Sequence, residues 1–244
     1  MDKTQEIIPL QSELLGKNPR TILKTALAKY DRIAISFSGA EDVVLIDMAI
    51  MLKKEIDVFV LDTGRLHPET YRFLDTVAKH YSIKLDIQYP EHLTLQAFVK
   101  QKGLFSFYVD GHEECCKFRK VDPLRRKLSS LDAWITGQRK DQSTQTRSTL
   151  PEIQIDDTFS TENHIIVKFN PLTNWTSRQV WDYIEAYDVP FNKLHLHGFK
   201  SIGCEPCTRS TAPNQSEREG RWWWEDANKK ECGLHGGNIK VQNN

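Results

Sequence analysis

The stretch RIAISFSGAED, residues 32–42, decides the fold of this chain. Its first half, 32–37, is a short apolar run that ends in small residues, which predicts a buried strand. Residues 40–54 then carry apolar side chains at helical spacing, so the strand leads directly into a helix. The small residues Ser36, Ser38 and Gly39 between them would let backbone amides approach a phosphate and hydroxyls donate to it. The loop lacks the glycines and the lysine of a Walker A or dinucleotide fingerprint, and an ordinary strand–helix turn is the alternative interpretation.

Strands and helices alternate along the rest of the chain. We expect strands at 32–37, 57–61, 83–89, 133–136 and 165–169, and helices at 21–30, 40–54, 67–81, 93–102, 117–128 and 177–187. This order is typical of right-handed crossovers, and it predicts an α/β fold, a mostly parallel twisted sheet with helices on both faces. The polar segments 137–163 and 192–244 are interpreted as loops over the ligand-binding edge. The sequence thus predicts one domain, 1–210, followed by a flexible C-terminal segment, 211–244.

The second strand ends in LDTGR, residues 61–65, at the same edge of the predicted sheet. Loops that follow neighbouring parallel strands meet at the carboxyl edge, where such sheets bind their ligands. Thr63, Gly64 and Arg65 therefore join the first loop as candidate substrate-binding residues. Together the two loops predict a nucleotide site.

Composition and charge exclude several classes of function. The chain has 244 residues, of which 39% are hydrophobic and 27% are charged, a balance that supports a packed core. Lys+Arg and Asp+Glu both number 33, and the lack of a basic excess argues against nucleic acid or an anionic membrane as a partner. The first 20 residues lack the apolar core of a secretory signal, and the most apolar stretch, 43–52, is too short to span a bilayer. We therefore expect a cytoplasmic protein.

Four of the five cysteines form two pairs, and these pairs predict a metal centre. Cys115 and Cys116 are adjacent, and Cys204 and Cys207 form a Cys-x-x-Cys turn. Such a turn brings two sulfurs onto one metal, and a second pair completes a set of four thiolates. Adjacent cysteines are awkward on a single zinc ion but can each hold a different iron of a four-iron cluster, so the spacing favours iron–sulfur over zinc. A redox-active Cys-x-x-Cys beside unrelated buried cysteines is the alternative.

Seven motifs in order along residues 23–236 carry a resemblance to a known family. They are SFSGAED (36–42), LDTGR (61–65), CC with KFRK (115–120), TGQRKDQSTQTR (136–147), SIGCEPCTR (201–209), EREGRWWWE (217–225) and ECGLH (231–235). With these motifs the chain resembles the assimilatory adenylylsulfate (APS) reductases, within the wider group of APS and phosphoadenylylsulfate (PAPS) reductases. The resemblance implies the fold of the pyrophosphate-loop ATPases. It also implies reduction of APS to sulfite and AMP in assimilatory sulfate reduction.

The same resemblance implies a cofactor and partners. Reductases specific for PAPS typically lack the two cysteine pairs, so their presence here implies a [4Fe-4S] cluster on Cys115, Cys116, Cys204 and Cys207. The family implies thioredoxin as the electron donor, with glutaredoxin as the alternative, and relatives form homo-oligomers. A strict APS reductase, a PAPS reductase and an enzyme that accepts both substrates stay open.

If four cysteines hold the cluster, only Cys232 is free to react. Its thiolate would attack the sulfate sulfur of APS, expel AMP and leave a thiosulfonate, from which an external dithiol would release sulfite. Glycines on both sides of His235 would let this tail close over a substrate, and His235 could assist the cysteine or the leaving AMP. A free surface thiol in a frayed tail is the alternative interpretation.

Cations should stabilise the charge that grows on the phosphate as the bridging bond breaks. By the motif match, Lys120 is the candidate catalytic cation, and the candidate substrate-binding cations are Arg147, Arg218 and Arg221. Arg119, Arg65 and Lys140 are second candidates. The three adjacent rings of residues 222–224 cannot all point one way, so we expect at least one in the core and another over the site or a partner surface.

Two other classes of function stay open on the residues alone. One is an ATP-using pyrophosphate-loop enzyme with a metal-bound cysteine set, which would need a fuller Ser-Gly-Gly-x-Asp loop than residues 38–42 provide. The other is a non-catalytic, zinc-stabilised nucleotide-binding module in which Cys232 is incidental.

Overall fold

The computed structural model of the chain describes residues 3–52, 55–143 and 146–226. The helices within them are α1 (Lys3–Leu14), α2 (Pro19–Lys29), α3 (Ala40–Leu52), α4 (Pro68–Tyr81), α5 (His92–Lys102), α6 (Glu113–Cys116), α7 (Asp122–Leu128) and α8 (Ser177–Ala186). The strands are β1 (Ile33–Ser36), β2 (Asp57–Leu61), β3 (Leu85–Gln88), β4 (Ala133–Ile135), β5 (Ile153–Ile155) and β6 (Val167–Phe169). Short 3-10 helices cover Ser106–Tyr108, Lys140–Gln142, Lys193–His197 and Glu205–Cys207. Among the described residues, no helix combines the length and the apolar character that a bilayer crossing requires.

The six strands form one sheet in the order β3-β2-β1-β4-β6-β5. Every neighbouring pair is parallel except β5 with β6, which is antiparallel. Ile35 at the centre of the sheet lies opposite Val58 on one side and Ile135 on the other. Strands connected by helical crossovers are buried on both faces, which explains their continuous apolar runs. The predicted α/β fold is confirmed.

Alternate residues of β1, β2 and β4 belong to two different hydrophobic clusters. Ile35 and its neighbours on the same face pack with the apolar sides of α1, α2, α3, α4 and α8. On the opposite face, Ala34, Phe59 and Trp134 pack against Leu124 and Leu128 of α7. Each fully buried aliphatic side chain contributes roughly 1.5–3 kcal/mol to stability. Helices thus cover both faces and leave the carboxyl edge of the sheet open to a ligand.

Capping residues account for two of the helix starts. The Asn18 side chain accepts a hydrogen bond from the amide of Thr21, and Pro19 occupies the first turn of α2. At α8, Thr176 and Gln179 form a reciprocal capping box. These local signals explain why the predicted bounds of both helices are confirmed to within two residues.

Two elements depart from the sequence prediction. The segment 137–163, interpreted as loop, contains the edge strand β5, in which Gln154 lies opposite Lys168. The three residues of β5 are too few to show a strand's alternation, and only the partner strand selects the extended conformation. Helix α1 was also not predicted. It contains Pro9, which disfavours a helix, yet it buries apolar side chains in the larger hydrophobic cluster.

Helices α6 and α7 are joined by a π-helical segment, Lys117–Val121. Pro123 has no amide hydrogen and cannot donate to the carbonyl four residues earlier, so the helix widens before it. The amide of Asp122 donates to the carbonyl of Lys117, five residues back. The widened turn holds Arg119 and Lys120, both of which are buried.

Residues 211–226 of the predicted C-terminal segment pack on the rest of the fold. Trp222 is fully buried, and Arg221 pairs with Thr208 in an isolated antiparallel bridge. The remaining part, 227–244, lies outside the described residues. A division of the chain at residue 210 stays a prediction.

Candidate active site

A cleft of about 190 Å³ lies at the carboxyl ends of β1, β2 and β4. This is the edge at which parallel sheets bind their ligands, since the connecting loops diverge there. Most of the predicted substrate-binding and catalytic residues line it: Ser36, Ser38, Gly39, Thr63, Lys120, Arg147, Arg218 and Arg221. Residues far apart in the chain therefore converge on one site.

The first loop is organised by the carboxylate of Asp42. This carboxylate accepts hydrogen bonds from the amides of Ser38 (2.8 Å) and Gly39 (2.9 Å), from the Ser38 hydroxyl (2.9 Å) and from the Gly137 amide (2.9 Å). The amides expected to face a phosphate are thus directed at a side chain from the first turn of α3. Gly137 approaches so closely that an added Cβ would lie 2.6 Å from Asp42 Oδ1. Burial, followed by the charge of Glu41, raises the pKa of Asp42 to about 6.

A buried arginine links this loop to the C-terminal part of the fold. Arg139 is 1% exposed and forms ion pairs with Glu41 (2.8 Å) and Glu217 (2.7 Å). Burial raises the pKa of Glu41, but the charge and hydrogen bonds of Arg139 outweigh it, so the pKa lies below its usual value. Burial and the charge of Glu41 raise the pKa of Glu217. The network links the first turn of α3 to the segments that carry Arg139 and Glu217, and so fixes three walls of the cleft relative to one another.

Three cations surround the ring of Trp222 at one end of the cleft. The Arg221 guanidinium lies 4.6 Å from the ring centroid, and Arg218 and Lys120 each lie 5.8 Å from it. Like charges gathered around one indole create a positive potential that an anionic group can neutralise. This end of the cleft is therefore suited to a phosphate or a sulfate.

The three tryptophans take different positions. Trp222 is fully buried, and its neighbour Trp223 is 42% exposed. Trp224 packs on Phe107 and donates a hydrogen bond to its carbonyl at 3.2 Å. The expectation of one ring in the core is confirmed by Trp222, which also lines the cleft. A role of another ring on a partner surface stays a prediction.

The four paired cysteines lie together beside the cationic end. All four are buried, and they share a hydrophobic cluster with Phe98, Phe107 and Trp222. Thr63 Oγ1 lies 3.2 Å from the sulfur of Cys204. A hydrogen bond from Cys207, and then the charges of Lys120 and Arg221, lower the pKa of Cys204 against the opposing effect of burial. The fold thus brings both predicted pairs to one place, next to cations.

Neither Gly64 nor Arg65 is among the residues that line the cleft, and Arg65 lines the pocket of the cysteines instead. Gly64 adopts a φ of +69°, and the Arg65 carbonyl accepts a hydrogen bond from the amide of Glu205 at 2.8 Å. The Arg65 guanidinium packs over Phe105 and Phe107. Of the second candidates, Arg119 donates to the Thr63 carbonyl at 2.6 Å, and Lys140 is directed to Asn174.

Lys120 lines both the cleft and the pocket formed by the four cysteines. The widened helical turn before Pro123 places its buried side chain between the two. Lys120 is therefore the one predicted cation, among the described residues, that lines both the cleft and the pocket of the cysteines.

A buried histidine–glutamate pair fastens the C-terminal part of the fold to the cysteine-bearing helix. His112 Nδ1 lies 2.6 Å from one carboxylate oxygen of Glu225, and the His112 amide donates to the other at 2.9 Å. The His112 ring also stacks on Trp222, with centroids 4.1 Å apart. The pair lies directly before α6, so it fixes the position of Cys115 and Cys116 relative to Trp222.

Replacing Glu225 with alanine is expected to lower the free energy of unfolding by about 2 kcal/mol, because two buried donors lose their acceptor. In a chain of this size the melting temperature should fall by roughly 4–8 °C. Thermal unfolding monitored by circular dichroism measures this. Asp75→Ala, which removes an exposed carboxylate paired with Lys79, is the matched control and should change little. An equal change in both variants would contradict the role given to the pair.

Several site residues were not singled out from the sequence. Arg139, Glu217 and Glu225 lie inside quoted motifs, so those motifs were the available signal. Asp42 belongs to the motif of the first loop, but its carboxylate was not expected to accept the hydrogen bonds of the loop amides. Cys232 and His235 lie outside the described residues, and their placement stays a prediction.

The sheet order and the cleft at its carboxyl edge define an α/β protein of the pyrophosphate-loop class, here with a buried cysteine cluster beside the cleft. Residues 32–210 match the phosphoadenosine phosphosulfate reductase domain. The chain belongs to this family.

Similar proteins and structures agree with that membership. An adenosine 5′-phosphosulfate reductase of Pseudomonas aeruginosa is 56% identical over 98% of this chain and 90% of that protein. The chloroplastic 5′-adenylylsulfate reductase 3 of Arabidopsis thaliana is 53% identical over 99% of this chain, which spans 54% of that protein. A crystal structure of the Candida auris PAPS reductase, a phosphate complex, has a TM-score of 0.70 at 30% identity and covers 84% of this chain and 97% of that one. The FMN adenylyltransferase of Candida glabrata, at 15% identity and a TM-score of 0.54, covers 88% of this chain and 72% of that one and shares the fold alone.

Proposed function

We propose that this protein reduces APS to sulfite and AMP through a thiosulfonate on Cys232, with electrons from an external dithiol protein. The class of enzyme follows from its relatives: the chain is a reductase of APS in assimilatory sulfate reduction, like the APS reductases to which it is 53–56% identical. This assignment rules out the two alternative functions considered from the sequence, an ATP-using pyrophosphate-loop enzyme and a non-catalytic nucleotide-binding module. The observation that carries the mechanism is the contact of a cationic cleft with a buried cysteine cluster.

The distribution of charge in the cleft supports one orientation of the substrate. Lys120, Arg218 and Arg221 surround Trp222 at one end, and this end suits the phosphosulfate. Arg147 is also buried in the cleft wall. Negative charge grows on the AMP phosphate as the sulfur–oxygen bond breaks, so fixed cations there stabilise the transition state more than the ground state. Lys120 has the catalytic role in this proposal, and the arginines bind the substrate.

The reaction balances with one protein thiol and one external dithiol. The Cys232 thiolate forms a bond to the sulfate sulfur, and the bond from that sulfur to the AMP oxygen breaks, so AMP leaves with the electron pair. One thiolate of the dithiol then attacks the Cys232 sulfur and releases sulfite, and its second thiol closes a disulfide and frees Cys232. The dithiol supplies both electrons. The chain has five cysteines, and the other four lie buried in one cluster, so the dithiol lies outside these 244 residues.

Thioredoxin is the donor that the family resemblance implies, and glutaredoxin is the alternative. His235 is proposed to assist the thiol or the leaving AMP. The family resemblance also implies that this chain forms a homo-oligomer, which stays an expectation.

The residues around the four cysteines fit a [4Fe-4S] cluster. Cys115, Cys116, Cys204 and Cys207 would hold it, and when bound it would supply positive charge beside the substrate and brace the fold. Three buried donor atoms here have no hydrogen-bond partner among the described residues: Arg65 Nη1, Arg119 Nε and Trp222 Nε1. Cluster and thiolate sulfurs accept hydrogen bonds, so a cluster would satisfy donors that the protein leaves unmet.

The adjacency of Cys115 and Cys116 in the sequence supports a cluster over a single zinc ion, because each can hold a different iron. Zinc holds thiolates by bonds of about 2.3 Å, which places four sulfurs roughly 3.8 Å apart. In the described part of the chain, the one group of three ligand residues whose ligand atoms lie within 4.8 Å of one another is His112, Glu113 and Glu225. The cysteines do not form such a group. The four cysteines line one pocket, in which a four-iron cluster would take one sulfur at each iron.

Incubation of anaerobic protein with APS and no reductant tests the mechanism. We expect one sulfonate per chain in the intact-mass spectrum, mapped to Cys232 by peptide analysis and removed by a dithiol. APS binding and the visible absorbance are measured on the same sample. Protein that binds APS and retains its cluster but gains no adduct would exclude the covalent mechanism. An adduct on another cysteine would contradict the role of Cys232 and assign the nucleophile to that cysteine instead.

A further inference from the structure

Two neutral polar side chains in the cleft are unused by the reaction described above. Gln138 lines the cleft directly after Gly137, and its side chain is 4% exposed. Neither the oxygen nor the nitrogen of its amide has a hydrogen-bond partner among the described residues. His195 lines the same cleft, and its Nε2 is likewise buried without a partner in the described part of the chain.

The protonation of His195 follows from its other ring nitrogen. Nδ1 lies 2.7 Å from the carbonyl oxygen of Phe199, which can only accept, so Nδ1 carries the proton. Burial lowers the pKa of His195, which keeps the ring neutral. Nε2 therefore presents a lone pair and acts as an acceptor.

Among the described residues that line the cleft, the unmet acceptors are thus Gln138 Oε1 and His195 Nε2, and the unmet donors are Gln138 Nε2, Arg221 Nε and Trp222 Nε1. Buried polar atoms of this kind are paired in almost all proteins, so their partners here come from the contents of the cleft, either a ligand or ordered water that a ligand displaces. The phosphosulfate has only acceptor oxygens, so it cannot satisfy the two acceptors. In an adenine nucleotide the donors are the 6-amino group and the ribose hydroxyls.

We propose that Gln138 and His195 bind the hydrogen-bond donors of the nucleoside half of the substrate and determine which nucleotide the cleft accepts. This inference rests on the proposed function and adds the residues that recognise its substrate. The apolar side chains that line the cleft, Val60, Leu61 and Trp134 among them, provide the surroundings in which such bonds discriminate strongly. A phosphate on a ribose hydroxyl removes a donor, so a ribose contact would also favour APS over PAPS.

Binding of four nucleotides to the cluster-loaded enzyme tests the proposal. The nucleotides are AMP, purine riboside 5′-monophosphate, 2′-deoxy-AMP and 3′-deoxy-AMP, each of the last three lacking one donor group, and calorimetry measures their dissociation constants. Gln138→Met keeps the length of the side chain and removes both polar atoms. We expect it to weaken AMP binding roughly tenfold. The analogue whose affinity it does not change identifies the donor that Gln138 binds.

Two further variants make the result specific. His195→Phe keeps a ring and removes the acceptor. It should weaken the binding of AMP but leave the dissociation constant of one analogue unchanged, the one that lacks the donor bound by His195. Gln154→Met makes the same change on strand β5, outside the cleft, and should leave every dissociation constant unchanged. Cluster absorbance and melting temperature confirm that each variant is folded.

The outcomes separate this inference from the function on which it rests. A wild-type protein that neither binds AMP nor reduces APS would refute the proposed function. A wild-type protein that does both, with Gln138→Met and His195→Phe weakening all four nucleotides equally or none of them, would overturn the inference alone.

Discussion

Replacing Cys232 with serine is expected to lower sulfite production by roughly four orders of magnitude or more, the usual cost of losing a catalytic nucleophile. A serine hydroxyl at neutral pH is a far weaker nucleophile than a thiolate, and the described part of the chain provides no spare thiol outside the cysteine cluster. APS binding should stay nearly intact, because the cations that would hold the phosphosulfate lie in the packed fold. Sulfite release with a dithiol donor and the dissociation constant for APS are the two measurements.

Arg218→Ala provides the opposite pattern as a control. It removes a cation from beside Trp222, so it should weaken APS binding while still allowing the sulfonate to form at saturating APS. The Cys232→Ser variant should bind APS and never acquire the sulfonate. Turnover by Cys232→Ser at the wild-type rate would refute the assignment of the nucleophile.

The order of the chemistry-bearing segments was predictable because each follows a strand. The apolar runs at 32–37 and 57–61 predicted neighbouring parallel strands, and the topology then required their loops to meet. The spacing of the two cysteine pairs predicted a metal centre without any structural information. What a sequence shows in these cases is local, a run of residues and the turn that follows it.

The rest of the site depends on contacts between distant segments. Glu41 and Glu217 reach the same guanidinium from either side of Arg139, and no spacing rule connects them. Asp42 resembles an ordinary first-turn helix acid in the sequence. Only the packed structure directs its carboxylate to the loop amides and to Gly137.

Gln138 was not predicted as a site residue because its burial depends on the folded chain. A glutamine in a polar segment predicts an exposed loop, and nothing in the segment 137–163 indicates that this side chain is enclosed. Its significance comes from the lack of a partner in a buried place, which is a property of the folded chain. The strand β5 was missed for a related reason, since its conformation is selected by pairing with β6.

Replacing Cys116 or Cys207 with serine is expected to remove the visible absorbance of the cluster, its iron and labile sulfide, and most of the activity. Both thiols are buried, and a hydroxyl there neither ligates iron comparably nor packs as a thiol does. The effect should reach the cleft because Lys120 and Trp222 lie against both sites. Iron, sulfide and zinc contents per chain, together with sulfite production, measure it.

Cys232→Ser is the matched control for this pair of variants, because it makes the same substitution outside the cysteine cluster. It should keep the full absorbance and iron content while losing activity, whereas Cys116→Ser and Cys207→Ser should lose both. Zinc without labile sulfide in the wild-type protein would contradict the iron–sulfur assignment. Full activity in a cluster-free preparation would instead leave the four cysteines with a role in folding alone, since the thiol chemistry at Cys232 needs no electrons from a metal.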